Sequence, residues 1–246
     1  MKNYGEDNYR IKSYEVDIHR RLRISAMLDF FQESAWRHAT DLKVGVEQLG
    51  SQGCFWVLSR LSLQVDEYPV WNDEITVHTW PKGIDKLMAL RDFLILNRAG
   101  EVCVRASTAW IIVDSKRRRP VRIEPFFSHI TLLLDREALP GTAKKVPPLS
   151  EGDAMSQYTA GYSVLDINRH VNNARYADWI TDSFSLDKFE KTAIRDFSIN
   201  YLAEVGPGQA VDITLLPVED NGYLVSGSVG GRESFRSLVG WSSSIR

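Results

Sequence analysis

Two stretches of the chain carry the same succession of hydrophobic patterns. Near the start, Tyr14, Val16 and Ile18 alternate with Glu15 and Asp17, the period-two signature of a strand. Leu28, Phe31, Ala35, Ala39 and Leu42 then recur at steps of three or four, with Asp29, Gln32, Glu33 and Arg37 between them. This spacing predicts an amphipathic helix capped by Ser25, its apolar side widened by Phe30 and Trp36. Strand-like runs follow at Leu61 to Val65, Ile75 to Val77, Phe93 to Leu96 and Ala109 to Val113. Asn97-Arg98-Ala99-Gly100 reads as a hairpin turn between two of them.

The order then repeats. Tyr158, Ala160, Tyr162 and Val164 alternate with polar or small residues, and a short helix carries Ala174, Ala177, Ile180 and Phe184 on one side. Further strands fall around Phe197 to Tyr201, Val211 to Leu215, Leu224 to Val229 and Ser234 to Trp241. Residue matches support a duplication. Asp17-Ile18-x-Arg20 corresponds to Asp166-Ile167-x-Arg169, and Phe30-Phe31 to Trp179-Ile180. Asp66-x-x-Pro69 falls on Glu204-x-x-Pro207, Ile75-Thr76 on Ile213-Thr214, and Gly100, Arg105 and Trp110 on Gly231, Arg236 and Trp241. Between the copies, Lys116 to Pro148 is rich in Pro, Gly and basic residues. It reads as a crossover with one short strand or helix around Ile130 to Leu134. The expected domains are 1–148, crossover included, and 149–246. A helix apolar on most of its circumference must be covered on most of it, so each copy is expected to be α+β, a sheet wrapped around one helix.

Composition narrows the functional classes. The 246 residues are 43% hydrophobic and 25% charged, as in an ordinary globular protein rather than a disordered chain. The formal charge of −2 predicts neither nucleic acid nor anionic lipid as a whole-protein partner. No run approaches the roughly 20 apolar residues of a membrane span, and the opening MKNYGEDNYRIK is too polar for a signal peptide. Cys54 and Cys103, the only cysteines, form no C-x-x-C pair, so a reduced, cytoplasmic protein is expected. No Gly-x-Ser-x-Gly elbow, P-loop or complete dinucleotide glycine pattern occurs. The five histidines lack metal-ligand spacing, so neither metal nor other cofactor is expected.

The candidate chemistry lies in Leu165-Asp166-Ile167-Asn168-Arg169-His170-Val171-Asn172-Asn173. Asp166, Asn168 and His170 are two apart, so on an extended strand all three side chains would share one face. A helix follows at once, with Asn172 or Asn173 as cap, and its first N–H groups suit a developing oxyanion. A polar turn with an N-cap is the other reading of the same residues.

The run Asp-x-Asn-x-His-Val-Asn-Asn, leading into a helix with Tyr176 and Trp179, resembles the acyl-acyl-carrier-protein thioesterases of the plant and bacterial type. Phe31-Gln32-Glu33-Ser34-Ala35 with His38, Trp56 to Arg60, Val65 to Asp73, and Arg105-Ala106-Ser107-x-x-Trp110 agree with that family. The resemblance runs from about Arg23 to Trp241. It implies a tandem (double) hot-dog fold, an acyl pocket largely in the first half, and hydrolysis of acyl-carrier thioesters in the second. An acyl-coenzyme A thioesterase and a non-catalytic acyl-binding protein are the rival readings. The implied catalytic residues are Asp166, Asn168, His170 and Glu204. Glu204 or Asp166 would activate water, Glu204 being favoured; Asn168 would orient the water or bind the thioester carbonyl, and His170 would polarise the water. Where plant members carry Cys after the acidic residue, this chain has Val205, which excludes a thiolate there. In the first copy His19 and Arg21 replace Asn168 and His170, so one active site per chain is expected. Asn172, Asn173, Trp56 and Trp80 are the expected substrate-binding residues. Lys116, Arg117, Arg118 and Arg119 form a basic run suited to an acidic carrier protein, or simply a solvated hairpin. Further homodimerisation is compatible with the sequence.

Overall fold

The computed structural model describes residues 4–149 and 152–242, and the chain divides into two compact units. The first comprises residues 1–61 and 66–143, the second 62–65 and 144–246.

The first unit contains β1 (Gly5–Arg10), a 3₁₀ turn (Ser13–Glu15), α1 (Ile24–Asp41), α2 (Val46–Ser51) and β2 (Cys54–Val65). There follow β3 (Glu74–Asp85), β4 (Met88–Leu96), β5 (Val102–Asp114), the two-residue β6 (Arg119–Pro120) and α3 (Glu124–Phe127). Its strands lie in the order β1-β3-β4-β5-β2, with β6 on β5. The pairs β1–β3, β3–β4 and β4–β5 are antiparallel. One face of α1 packs on this sheet through Phe31 against Phe93 and Phe30 against Tyr9, at ring separations of 4.7 and 4.5 Å. Burying side chains of this size contributes about 1.5–3 kcal/mol each. The crossover is tied to the same unit by buried polar groups. Lys82 donates to the carbonyls of Leu139 and Gly141, each at 2.7 Å, and Asp92 accepts the Ala138 N–H at 2.7 Å. The Lys82 and Asp92 side chains stand 3.3 Å apart, so the buried charges are paired as burial demands.

The second unit contains β7 (Asp153–Thr159), a 3₁₀ turn (Tyr162–Val164), α4 (Asn173–Thr181), α5 (Leu186–Lys191) and β8 (Ile194–Tyr201). These precede β9 (Ala210–Val218), β10 (Gly222–Val229) and β11 (Arg232–Trp241). The order is β8-β11-β10-β9-β7, with antiparallel neighbours throughout. The end of β2 belongs here, Ser62 Oγ lying 3.0 Å from Ser198 Oγ of β8. α4 packs on the sheet through Tyr176 on Phe235 and Trp179 on Tyr158, at 5.2 and 5.7 Å. Phe235 lies directly over Gly227, where a Cβ would come within 2.0 Å of the ring, so only glycine admits the ring there.

Several expectations are corrected. The period-two run at Tyr14 to Ile18 is a 3₁₀ turn and loop, the strand lying before it as β1; of the run at Tyr158 to Val164 only Tyr158 and Thr159 are strand, at the end of β7, and the rest is loop and 3₁₀ turn. β1 hides from a hydrophobicity pattern because only Tyr9 on its inner side is a large apolar residue. Arg23, not Ser25, occupies the N-cap position of α1, without a side-chain capping bond; Ser25 is buried in the first turn. Trp36 is 54% exposed, on the polar side of α1 with Asp29 and Glu33. The crossover's short helix is Glu124–Phe127 rather than around Ile130 to Leu134, and Phe184 lies beyond the end of α4. The Asn97 turn forms as read, with Asn97 Oδ1 accepting the Ala99 and Glu101 N–H groups and Gly100 at φ 83°.

One buried group of α1 makes stability depend on pH. His38 is 6% exposed and accepts at Nδ1 from Arg91 at 3.0 Å. Burial, then the Arg91 charge, pushes its pKa from 6.5 down to about 4, with Asp7 opposing. The unfolded chain therefore takes up a proton that the folded chain refuses. This stabilisation is complete above pH 6.5 and is lost as pH falls towards 4, by roughly 3 kcal/mol at most. Melting temperature should fall between pH 7 and 4.5 more steeply in the wild type than in His38→Gln, and equal slopes would contradict the assignment.

Candidate active site

The motif is built on a closed turn rather than an extended strand. The Asp166 N–H donates to the His170 carbonyl at 2.8 Å, and Leu165 bridges to Val171. Asp166 Oδ1 accepts the N–H groups of Asn168 and His170 at 2.8 and 3.3 Å, an Asx-type closure. Asn168 Nδ2 lies 3.5 Å from Asp166 Oδ2. Arg169 sits at φ 63°, a left-handed conformation costing roughly 1–2 kcal/mol for a side-chain-bearing residue. The three side chains thus gather by turn geometry, not by strand alternation. Asn172 is the N-cap of α4, its Oδ1 accepting the Ala174 N–H at 2.8 Å, while the Arg175 N–H returns to the Asn172 carbonyl. Two of the helix-start donors expected to face an oxyanion are therefore engaged within the cap. The Asn173 carbonyl accepts from the Tyr201 hydroxyl at 2.9 Å.

The second segment arrives from β8. The N–H groups of Leu202 and Ala203 both reach the Ser234 carbonyl, and the Val171 N–H then donates to the Val205 carbonyl at 2.9 Å. That bond sets the Glu204 loop against the turn. Glu204 Oε2 stands 3.5 Å from His170 Nε2, with the two side chains 39% and 33% exposed. Asp166, Asn168, His170 and Glu204 therefore share one partly open corner of the second unit.

The first unit contains the same turn in another state. Asp17 Oδ1 accepts the His19 and Arg21 N–H groups, both at 2.9 Å, and Arg20 sits at φ 66°. The Leu22 N–H donates to the Pro69 carbonyl at 2.8 Å, the counterpart of Val171 to Val205. This hydrogen-bond correspondence puts Tyr68, not Asp66, opposite Glu204. It likewise moves Ile75 onto Val211 rather than Ile213. The slip is two residues, and a two-residue slip leaves side-chain alternation unchanged, so the pattern alone could not reveal it. Here Arg21 closes on Asp17 at 2.9 Å and lies 5.5 Å over the Tyr68 ring.

The remaining expected residues belong to the first unit. Trp56 packs edge-on to Trp110 and Phe127, with its indole N–H on the Val44 carbonyl at 2.8 Å. Trp80 is fully buried, its N–H on the Arg136 carbonyl and the Arg136 guanidinium 4.0 Å over its ring. Lys116, Arg117 and Arg118 are exposed in the turn between β5 and β6, and Arg119, also exposed, opens β6. Asp114 Oδ1 accepts the Lys116 and Arg117 N–H groups there, and the Arg118 guanidinium lies 5.3 Å over Phe55. Cys54 and Cys103 are buried free thiols. Burial raises the pKa of both, that of Cys103 to about 11. Val205 is fully buried. Among the described residues no group of side chains suited to a metal ion is found, and no helix is long and apolar enough to cross a membrane.

Comparisons with known proteins agree on one family. Residues 2–130 match the acyl-ACP thioesterase N-terminal domain and residues 149–230 the C-terminal domain. The acyl-[acyl-carrier-protein] hydrolase FATB2 of Cuphea viscosissima is 28% identical over 95% of the chain. A palmitoyl-acyl carrier protein thioesterase of Arabidopsis thaliana is 29% identical over 81%. The chain spans 64% and 52% of the lengths of those two chloroplastic relatives. Among solved structures, an acyl-ACP thioesterase from Bacteroides thetaiotaomicron superposes with a TM-score of 0.90 at 26% identity, covering 98% of both chains. The 12:0-ACP thioesterase of Umbellularia californica, 23% identical with a TM-score of 0.88 over 98% of both chains, shares the fold. With its two α+β units of the hot-dog kind and both family domains present, the chain belongs to the acyl-ACP thioesterase family.

Proposed function

We propose that the chain hydrolyses the thioester of an acyl group carried on acyl carrier protein, releasing a free fatty acid and the carrier thiol. The carrying observation is the approach of His170 Nε2 to Glu204 Oε2, 3.5 Å, on the turn whose Asn168 side chain reaches Asp166. A thioester's leaving thiol has a pKa near 8.5, taking free cysteine as a guide, so departure needs little general-acid help. The work left is to place and deprotonate a water and to stabilise an oxyanion. Glu204 is the water-activating carboxylate in this reading. The alternative, Asp166, has one oxygen already accepting two backbone N–H groups, which suits it to hold the turn. Asn168 orients the water or binds the thioester carbonyl, and His170 polarises the water. Asn172 and Asn173 border the substrate at the start of α4.

The second unit is then the catalytic one, and the first supplies the acyl pocket around Trp56 and Trp80. Its own turn is filled by the Arg21–Asp17 pair, which supports one active site per chain. Buried, free Cys54 and Cys103 fit a reducing compartment such as the cytoplasm. The exposed basic turn at Lys116 to Arg119 is the carrier-docking surface in this reading.

Glu204→Gln and His170→Ala should each lower kcat/KM for acyl-carrier thioesters by about 100-fold or more, general base catalysis alone accounting for 10²–10⁴. Full activity in both folded variants would sink the assignment. Asp166→Asn, which keeps an acceptor oxygen, should retain clearly more activity than Asp166→Ala; equally inactive variants would return the base to Asp166. Reversing Lys116, Arg117 and Arg119 to Glu should raise KM for the carrier-bound substrate several-fold and leave the coenzyme A thioester nearly unaffected. Equal changes for both donors would reject docking there, and a wild-type preference for coenzyme A would favour the acyl-CoA reading.

A further inference from the structure

We propose that Tyr176 and Tyr201 are positioning residues that hold Glu204 at His170 by cross-tying the two segments of the site. The inference rests on the hydrolase reading above. Tyr176, on α4, is 3% exposed, and its hydroxyl is hydrogen-bonded by the Val205 backbone N–H. The bond is thus made by the residue immediately after Glu204. Tyr201, the last residue of β8, reaches the other way, donating to the Asn173 carbonyl at 2.9 Å. The two rings meet edge to face at 5.5 Å. Each segment therefore sends one phenol to the backbone of the other, and the Val171–Val205 bond joins the same two segments. The Glu204 and Asp166 carboxylates are near enough to act on the Tyr176 hydroxyl. Burial first, then these charges, raises its pKa, so the phenol stays neutral where the enzyme works.

The duplication separates this role from a merely structural one. Counting from the shared anchor bond, Leu22–Pro69 in one unit and Val171–Val205 in the other, Tyr176 has Met27 as its counterpart and Tyr201 has Val65. Val205 has Pro69, which possesses no N–H to donate. Met27 is fully buried and Val65 nearly so. The first copy thus builds the same turn, helix start and anchor bond with neither hydroxyl nor the Val205-type donor. Both phenols and the Val205 N–H that meets Tyr176 occur together only where Glu204 and His170 stand. Closing the turn does not need them; fixing the carboxylate within a fraction of an ångström does.

The test uses Tyr176→Phe and Tyr201→Phe, each alone and combined with Glu204→Gln, assayed on an acyl-carrier thioester. Each single Phe variant should lose about tenfold or more in kcat, with KM within about twofold and melting temperature within about 5 °C of wild type. In the Glu204→Gln background the same substitutions should cost less than about twofold, because they act through that carboxylate. Wild-type kcat in the folded Phe variants overturns the proposal. So does an undiminished loss in the Glu204→Gln background, or a loss that appears in KM and melting temperature instead. Should one Phe variant fail to fold, the other decides. An inactive Glu204→Gln beside fully active Phe variants removes only the positioning role, whereas an active Glu204→Gln removes the hydrolase site itself.

Discussion

The hydrogen bond from the Val171 N–H to the Val205 carbonyl is the constraint on which the candidate site depends. By itself such a bond contributes about 1 kcal/mol. Its geometric effect is larger, because it fixes the distance between two segments far apart in sequence. On one side the Asx closure by Asp166 aims Asn168 and His170. On the other, the paired Leu202 and Ala203 N–H groups on the Ser234 carbonyl turn the chain so that Glu204 faces the imidazole. Backbone bonding sets the positions, and the side chains then supply the chemistry.

The two units show how few residues separate a closed corner from an open one. In the first, Arg21 answers the Asp17 carboxylate and covers Tyr68, and the Arg21 side chain is only 7% exposed. In the second, the residue at that place is His170, which approaches Glu204, and both side chains keep about a third of their surface accessible. The turn, its left-handed arginine and the anchor bond are common to both. At the positions of Asn168, His170 and Glu204 the two copies differ, and in the proposed reading this difference turns a structural staple into a site where an imidazole and a carboxylate face one another. Val205, buried and without a thiol, leaves water as the attacking group in this account.

Much of this was legible in the chain itself. The spacing of Asp166, Asn168 and His170, the following helix and the repeated order of elements all stand in the sequence as local patterns. The long strands within β2 to β5 and β8 to β11 announce themselves because their buried residues are branched and aromatic. What was not legible lies where pattern and structure part. β1 is polar on its outer side and nearly so on its inner one. The motif's side chains converge by a turn whose hydrogen bonds involve main chain, about which alternation says nothing. The pairing of Glu204 with Tyr68 across the repeat escaped because a slip of two preserves every inside and outside position. The hydroxyl partners of Tyr176 and Tyr201 are backbone groups that no sequence pattern names.

The central claim of the proposed reading is that a water held by His170 and Glu204 attacks the thioester directly. It is tested most directly by rapid-mixing kinetics on an acyl-carrier thioester, following thiol and free acid separately over the first turnover. The account predicts that thiol and acid appear together, without an initial excess of thiol. A burst of thiol equal to the enzyme concentration, running ahead of the acid, would reveal a covalent acyl-enzyme and contradict it.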